Sequence, residues 1–176
     1  MWDQGRPRCA KRLCGAICPD YQGMQPVAIQ PGMRRLNFGI HTRVCVPGIT
    51  EVRLHDAFQC EGIQATLWPS VDRYDIQVRL PGACWAIDVK DYESPRSLAY
   101  HIRHHLLRRF EGNSELEWDR AFYVVPAYRV MLLPTYVSQL RQALQAAFGG
   151  EWPLGFSVVD DEQMKKQVRA YLRGER

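Results

Sequence analysis

Two alternating runs joined by a Pro-Gly step constrain this chain more than any other feature of its sequence. In residues 74–80, Tyr74, Ile76, Val78 and Leu80 alternate with Asp75, Gln77 and Arg79. In residues 85–92, Trp85, Ile87 and Val89 alternate with Ala86, Asp88, Lys90 and Tyr92. A period of two places successive side chains on opposite faces of a strand, and Pro81-Gly82 is turn chemistry. The pair therefore reads as a β-hairpin. Its register is constrained because the two apolar faces must coincide, which requires opposed residue numbers to sum to an odd value. A two-residue loop opposes Val78 to Trp85, Ile76 to Ile87 and Asp75 to Asp88. A four-residue loop opposes Leu80 to Trp85 and Asp75 to Lys90. In either register Asp75, Asp88 and Lys90 share one face, with opposed side chains about 5 Å apart.

Around this hairpin the chain from Pro47 reads as helix, three strands, helix, strand, helix, strand, helix. Residues 49–60 form a short helix with Val52 and Leu54 among its apolar positions, and residues 63–68 a strand closed by Pro69. Ser94-Pro95 is a helix start, Ser as the cap and Pro in the first turn. Leu98, Ile102, Leu106 and Phe110 then recur as a stripe able to cover a sheet, until Gly112-Asn113. Ala121–Val125 reads as a buried strand, 135–148 as a helix stopped by Gly149-Gly150, Leu154–Val159 as a strand and Asp160–Leu172 as the last helix. This order predicts an α/β fold, a mixed central sheet flanked by helices.

Residues 1–46 differ: rich in Cys, Gly, Pro and Arg, they sustain no period. The expected division is a Cys-containing N-terminal segment over 1–46 and a globular domain over 47–176. Cys9, Cys14 and Cys18 are spaced C-x4-C-x3-C, with His41 and Cys45 as further ligands for Zn²⁺. No tight CxxC knuckle is present, so a degenerate zinc ribbon and a set of reduced thiols both remain open. Cys60 and Cys84 read as small core residues. Met1–Arg12 has no apolar leader core, and no apolar run reaches bilayer-spanning length; the expectation is a cytoplasmic protein without a membrane segment.

The formal net charge is +4. Arg96, Arg103, Arg108 and Arg109 crowd one segment, and Lys165, Lys166, Arg169 and Arg173 another. Clustered cations neutralise phosphates and release counterions, which makes nucleic acid a fitting partner, although solvated helix faces have the same composition. Arg96, Arg103, His104 and Arg108 are the candidate nucleic-acid contacts. His101 and His105 share a helix face with the option of touching phosphate, and Tyr128 and Arg129, just past the fourth strand, are candidates for the substrate groove.

Two carboxylates on neighbouring strands repel one another, and a divalent cation resolves the conflict. Lys90, pointing the same way, is placed to hold an attacking water or to balance charge developing on a phosphate. That is a site for metal-assisted phosphodiester hydrolysis; a weak surface salt bridge is the bland alternative.

The run Tyr74-Asp75-Ile76 … Trp85-Ala86-Ile87-Asp88-Val89-Lys90 resembles the PD-(D/E)xK nuclease superfamily, over roughly residues 48–160. Tyr74 stands where the name-giving proline would be, and Asp88 replaces the commoner Glu. The resemblance implies a restriction endonuclease-like α-β-β-β-α-β core, with Asp75 and Asp88 as ligands of Mg²⁺ or Mn²⁺ and Lys90 as a catalytic residue. It also implies a first-helix glutamate that completes the metal site. Glu51 fits, with Glu61 as its competitor; Glu51 precedes Asp75 by 24 residues and Asp75 precedes Asp88 by 13, a spacing like that of archaeal junction resolvases. Leu67-Trp68-Pro69, Asp72, Tyr74-Asp75 and Ala86-Ile87-Asp88-Val89-Lys90-Asp91 are more closely similar to the restriction-endonuclease-like component of bacterial Piwi-associated (pPIWI-RE) defence systems. That implies a DNA endonuclease acting against phage or plasmids beside other subunits, and a homodimer is a further expectation. The alternative is a nuclease-fold subunit that binds DNA or assembles without turnover.

Overall fold

The computed structural model describes residues 46–69, 73–106, 118–150 and 155–175, together with the two-residue strands Trp2–Asp3 and Arg6–Pro7, which pair antiparallel. Cys9, Cys14, Cys18, His41, Cys45, Asp72, Arg108, Arg109 and Phe110 lie outside the described residues.

Five strands form one sheet in sequential order: β1 (Gln64–Leu67), β2 (Ile76–Leu80), β3 (Ala83–Val89), β4 (Arg120–Val125) and β5 (Phe156–Asp160). The first two pairings are antiparallel and the last two parallel. The change of direction at β3 follows from connection length. Pro81-Gly82 permits only a hairpin between β2 and β3, whereas a helical crossover separates β3 from β4. The hairpin takes the two-residue loop, with Leu80 opposite Ala83, Val78 opposite Trp85 and Ile76 opposite Ile87. Gly82 has φ 73°, a left-handed conformation that glycine adopts without a Cβ penalty.

Helices cover both faces. On one lie α1 (Val46–Cys60) and the C-terminal α5 (Asp161–Leu172). Leu54 and Phe58 of α1, with Met164 and Val168 of α5, bury against Ile76, Val78, Trp85, Ile87, Phe122 and Val124. The opposite face carries α2 (Pro95–His101), which continues as a π-helical turn over Ile102–Leu106, and α4 (Tyr136–Ala147). There Leu98, Ile102, Leu140 and Leu144 pack on Ala86, Ala121, Tyr123 and Val158. Ser94 caps α2 through its hydroxyl, which accepts from the Ser97 amide, and Pro95 follows in the first turn. At the free edge of β5 the outward carbonyl of Val158 accepts two hydrogen bonds from Arg141, at 3.1 and 2.6 Å.

The mixed sheet flanked by helices is the expected α/β architecture, and several details depart from the sequence reading. Helix α1 begins at Val46, and Val52 on it is 39% exposed. Strand β2 begins at Ile76; Tyr74 lies in a bend and turns into the α2/α4 core, away from Ile76. A short helix α3 (Ala127–Leu132) follows β4, where the sequence suggested only a connection. Cys60, read as a core residue, is exposed at the end of α1, and Cys84 is half-buried.

Candidate active site

The chemistry-bearing face of the hairpin is buried. Asp75 precedes β2 directly, just beyond the Ile76–Ile87 pair that ends the register, and Asp88 follows Ile87 on β3. The bend at Asp75 is fixed from three directions. Its amide donates to the Ile87 carbonyl at 3.0 Å, its carbonyl accepts from the Trp68 amide at 2.8 Å, and its Oδ2 accepts from the Val89 amide at 2.5 Å. The carboxylate thus takes the place of a ladder partner where the two strands begin to part. Gln77, next on the same face, donates to the Tyr74 hydroxyl at 3.0 Å, which secures the inward turn of that ring.

Asp88 is fully buried, with 0% of its surface exposed. Its Oδ1 accepts from Lys90 Nζ at 2.6 Å, and the same ammonium lies 3.8 Å from Asp75 Oδ2. Asp88 Oδ2 is buried without a hydrogen-bond partner among the described residues. A carboxylate oxygen in that condition is costly. Burial pushes the Asp88 carboxyl up to about 7, against the opposing pull of Lys90, and the Asp75 charge adds to the rise. The Lys90 amide donates to Val124 on β4 at 2.8 Å, so the residue is anchored in the parallel part of the sheet.

These groups suit a hard divalent cation. Two carboxylates face each other, one with an orphaned oxygen, and Mg²⁺ is commonly held by one or two carboxylates while it keeps several waters and takes substrate phosphate oxygens. Among the described residues no set of three or more His, Cys, Asp or Glu side chains converges as a metal cage.

Glu51 stands at one remove. Its Oε2 accepts from the Trp68 indole at 2.9 Å, and the backbone of Trp68 in turn bonds Asp75. Trp68 holds φ 47°, a left-handed conformation that costs a bulky residue roughly 1–3 kcal/mol. One strained tryptophan therefore links the first-helix glutamate to the hairpin acid. Glu61 is elsewhere, clasped by both arms of Arg169 on α5 at 2.8 and 2.5 Å.

Of the candidate nucleic-acid contacts, Arg96 is exposed in the first turn of α2, and His104 is exposed on the π turn. Arg103 donates to the Ala147 carbonyl at the end of α4, with its guanidinium 6.0 Å from the Phe148 ring centre. Just past Lys90, Asp91 accepts from Arg129 Nε at 2.6 Å. Tyr128 is buried, its hydroxyl has no hydrogen-bond partner among the described residues, and burial, with Asp91 beside it, pushes its pKa up. This Asp91–Arg129–Tyr128 group sits beside the motif because α3 begins at the end of β4. Sequence reading singled out Tyr128 and Arg129 as groove candidates but not their tie to Asp91, since α3 carries too few residues for a periodic signal.

A five-stranded mixed sheet flanked by helices on both faces is the architecture of the restriction endonuclease-like class. Within that class the chain belongs to the family described as "REase associating with pPIWI_RE", whose model matches residues 48–176. No curated protein and no solved structure matches the chain. No helix among the described residues is long and apolar enough to cross a membrane.

Proposed function

We propose that the chain is a Mg²⁺- or Mn²⁺-dependent DNA endonuclease. The observation that carries the reading is the buried Asp75–Asp88 pair with Lys90 against it and one Asp88 oxygen left without a partner among the described residues. Asp75 and Asp88 would hold the cation, and Glu51 would assist through Trp68. A bound divalent ion would supply charge for the phosphate and lower the pKa of a water. Lys90, held beside Asp88 and Asp75, would position the attacking water and balance charge on the phosphate. Arg96, Arg103, His104 and Arg108 attend the nucleic-acid backbone, fixing position rather than sequence.

The same reading makes the protein a cytoplasmic component of a defence system against phage or plasmids, in association with a pPIWI_RE protein, as its family's description has it. Residues 47–176 form the nuclease domain, and for Cys9, Cys14, Cys18 and Cys45 of the preceding segment a degenerate zinc site and a set of reduced thiols both stay open. A homodimer is compatible with this arrangement.

The test is cleavage of plasmid and single-stranded DNA in Mg²⁺, Mn²⁺ or EDTA by wild type, Asp88→Asn and Lys90→Ala. Cutting that needs metal and is lost in both variants supports the assignment; variants that cut as well as wild type overturn it. A second reading, a binding or assembly subunit without turnover, draws on the engagement of Glu51 with Trp68, away from the acid pair. DNA binding with no cutting in any metal, even beside the partner protein, would favour it.

A further inference from the structure

Beside the candidate active site the chain gathers a cluster of aromatic rings that the proposed hydrolysis does not use. Tyr92, two residues past Lys90, lies 5.1 Å from His101 between ring centres, and His101 lies 5.6 Å from His105. Tyr100 meets His104 at 4.4 Å and His105 at 6.5 Å. Tyr100 is 59% exposed, and both outer histidines are exposed as well.

Helical spacing brings Tyr100 beside His104 and His101 beside His105, four residues apart, and the π turn over Ile102–Leu106 accounts for the further approach of His105 to Tyr100. In an α-helix residues three and four apart are neighbours, and the residue five ahead falls off the face. A π turn bonds residue i to i+5, which brings position 105 round to Tyr100 as well as position 104. Such turns are rare inside α-helices and are frequently found at functional sites.

From this placement we infer that Tyr100, His104 and His105 form a stacking platform for an unpaired nucleobase of the strand whose phosphate enters the Asp75–Asp88–Lys90 site. Every base presents a π-face, so stacking accepts any sequence, and aromatic rings beside cations are how single strands are held. Arg96, exposed on the same helix, supplies charge complementary to the phosphates that would accompany that base. Duplex DNA keeps its bases stacked on one another and cannot use the platform without unpairing. The substrate class is therefore single-stranded or locally opened DNA. The proposal rests on the nuclease reading only for which strand is delivered.

The test is binding without turnover. Affinities of the full chain for a fluorescein-labelled 12-mer single strand, and for a blunt duplex of the same sequence, are measured in EDTA for wild type, Tyr100→Phe, Tyr100→Ala and His104→Ala. Tyr100→Ala is expected to weaken single-strand binding about 5- to 140-fold, the span of one lost base–aromatic stack. Tyr100→Phe should keep it, duplex binding should not change, and a 2-aminopurine in the single strand should be quenched by wild type alone of the wild type and Tyr100→Ala pair. Single-strand affinity unaltered by Tyr100→Ala, an equal loss for duplex, or no single-strand binding by wild type would each overturn the platform. A chain that binds single strands through Tyr100 but cuts nothing with Mg²⁺ or Mn²⁺ keeps the platform and loses the nuclease reading. One that cuts DNA with single-strand affinity indifferent to Tyr100 does the reverse.

Discussion

Lys90, just past the end of β3, and Asp88 within it form a part-buried ion pair that satisfies half of a carboxylate. Lys90 reaches Oδ1, while Oδ2 is enclosed without a partner among the described residues. The folded carboxyl titrates near 7, whereas an aspartate in an unfolded chain titrates near 3.9. Between those values the folded protein binds a proton that the unfolded one does not. The contribution of Asp88 is therefore fully present below about pH 4 and is lost as pH rises through about 7. Asp88→Asn, which cannot titrate, should gain thermal stability relative to wild type from pH 4 to pH 8. Unfolding profiles that run parallel for the two proteins would contradict the burial argument.

Metal should reverse that loss. Carboxylates must be ionised to bind a cation, so protons and metal compete for the same oxygens. Mg²⁺ at about a hundredfold excess over its dissociation constant should stabilise the fold by about 2.7 kcal/mol, more at pH 8 than at pH 6. Asp88→Asn should abolish the shift. Differential scanning fluorimetry with Mg²⁺ against EDTA reads the effect with no nucleic acid present.

The two first-helix glutamates should separate cleanly. Glu51→Gln keeps an oxygen for the Trp68 indole, so its melting temperature should match that of wild type. Its metal affinity or cleavage should fall about 10- to 100-fold, the usual loss for an outer-shell group. Glu61→Gln, far from the acids and paired with Arg169 on the surface, should cut like wild type. Metal titrations of the two variants side by side check this, and equal behaviour would remove Glu51 from the site.

Tyr128→Phe removes a buried hydroxyl that has no hydrogen-bond partner among the described residues. Deleting such a group should leave stability unchanged or raise it by about 1 kcal/mol, read as a shift in urea midpoint. A marked loss would mean that the hydroxyl is satisfied within the fold.

Much of the site was legible in the sequence because a period of two is rigid. Once Ile76, Val78, Trp85 and Ile87 must share a face, Asp75, Asp88 and Lys90 have only one other to occupy. Patterning could not choose between the two hairpin loops, since both satisfy that parity; Gly82 and the pairing of Leu80 with Ala83 decide it. It also misplaced Tyr74, because a ring at the lip of a strand follows whichever core is nearer rather than the alternation. The company of His105 was hidden for a different reason: its approach to Tyr100, five residues away, goes with a π turn, and a sequence read at 3.6 residues per turn has no means of locating one. Glu51 could be assigned to the first helix, but its hold on the Trp68 indole depends on a left-handed tryptophan that no propensity favours.

The carboxylate of Asp75 accepts the Val89 amide in place of a backbone carbonyl. One main-chain proton is thereby wired to the candidate metal site. Its exchange with deuterium, and its nitrogen and proton resonances, depend on the charge and occupancy of Asp75 rather than on the sheet alone. A single amide in the middle of the sequence thus gives a spectroscopic view of the site that needs neither substrate nor turnover.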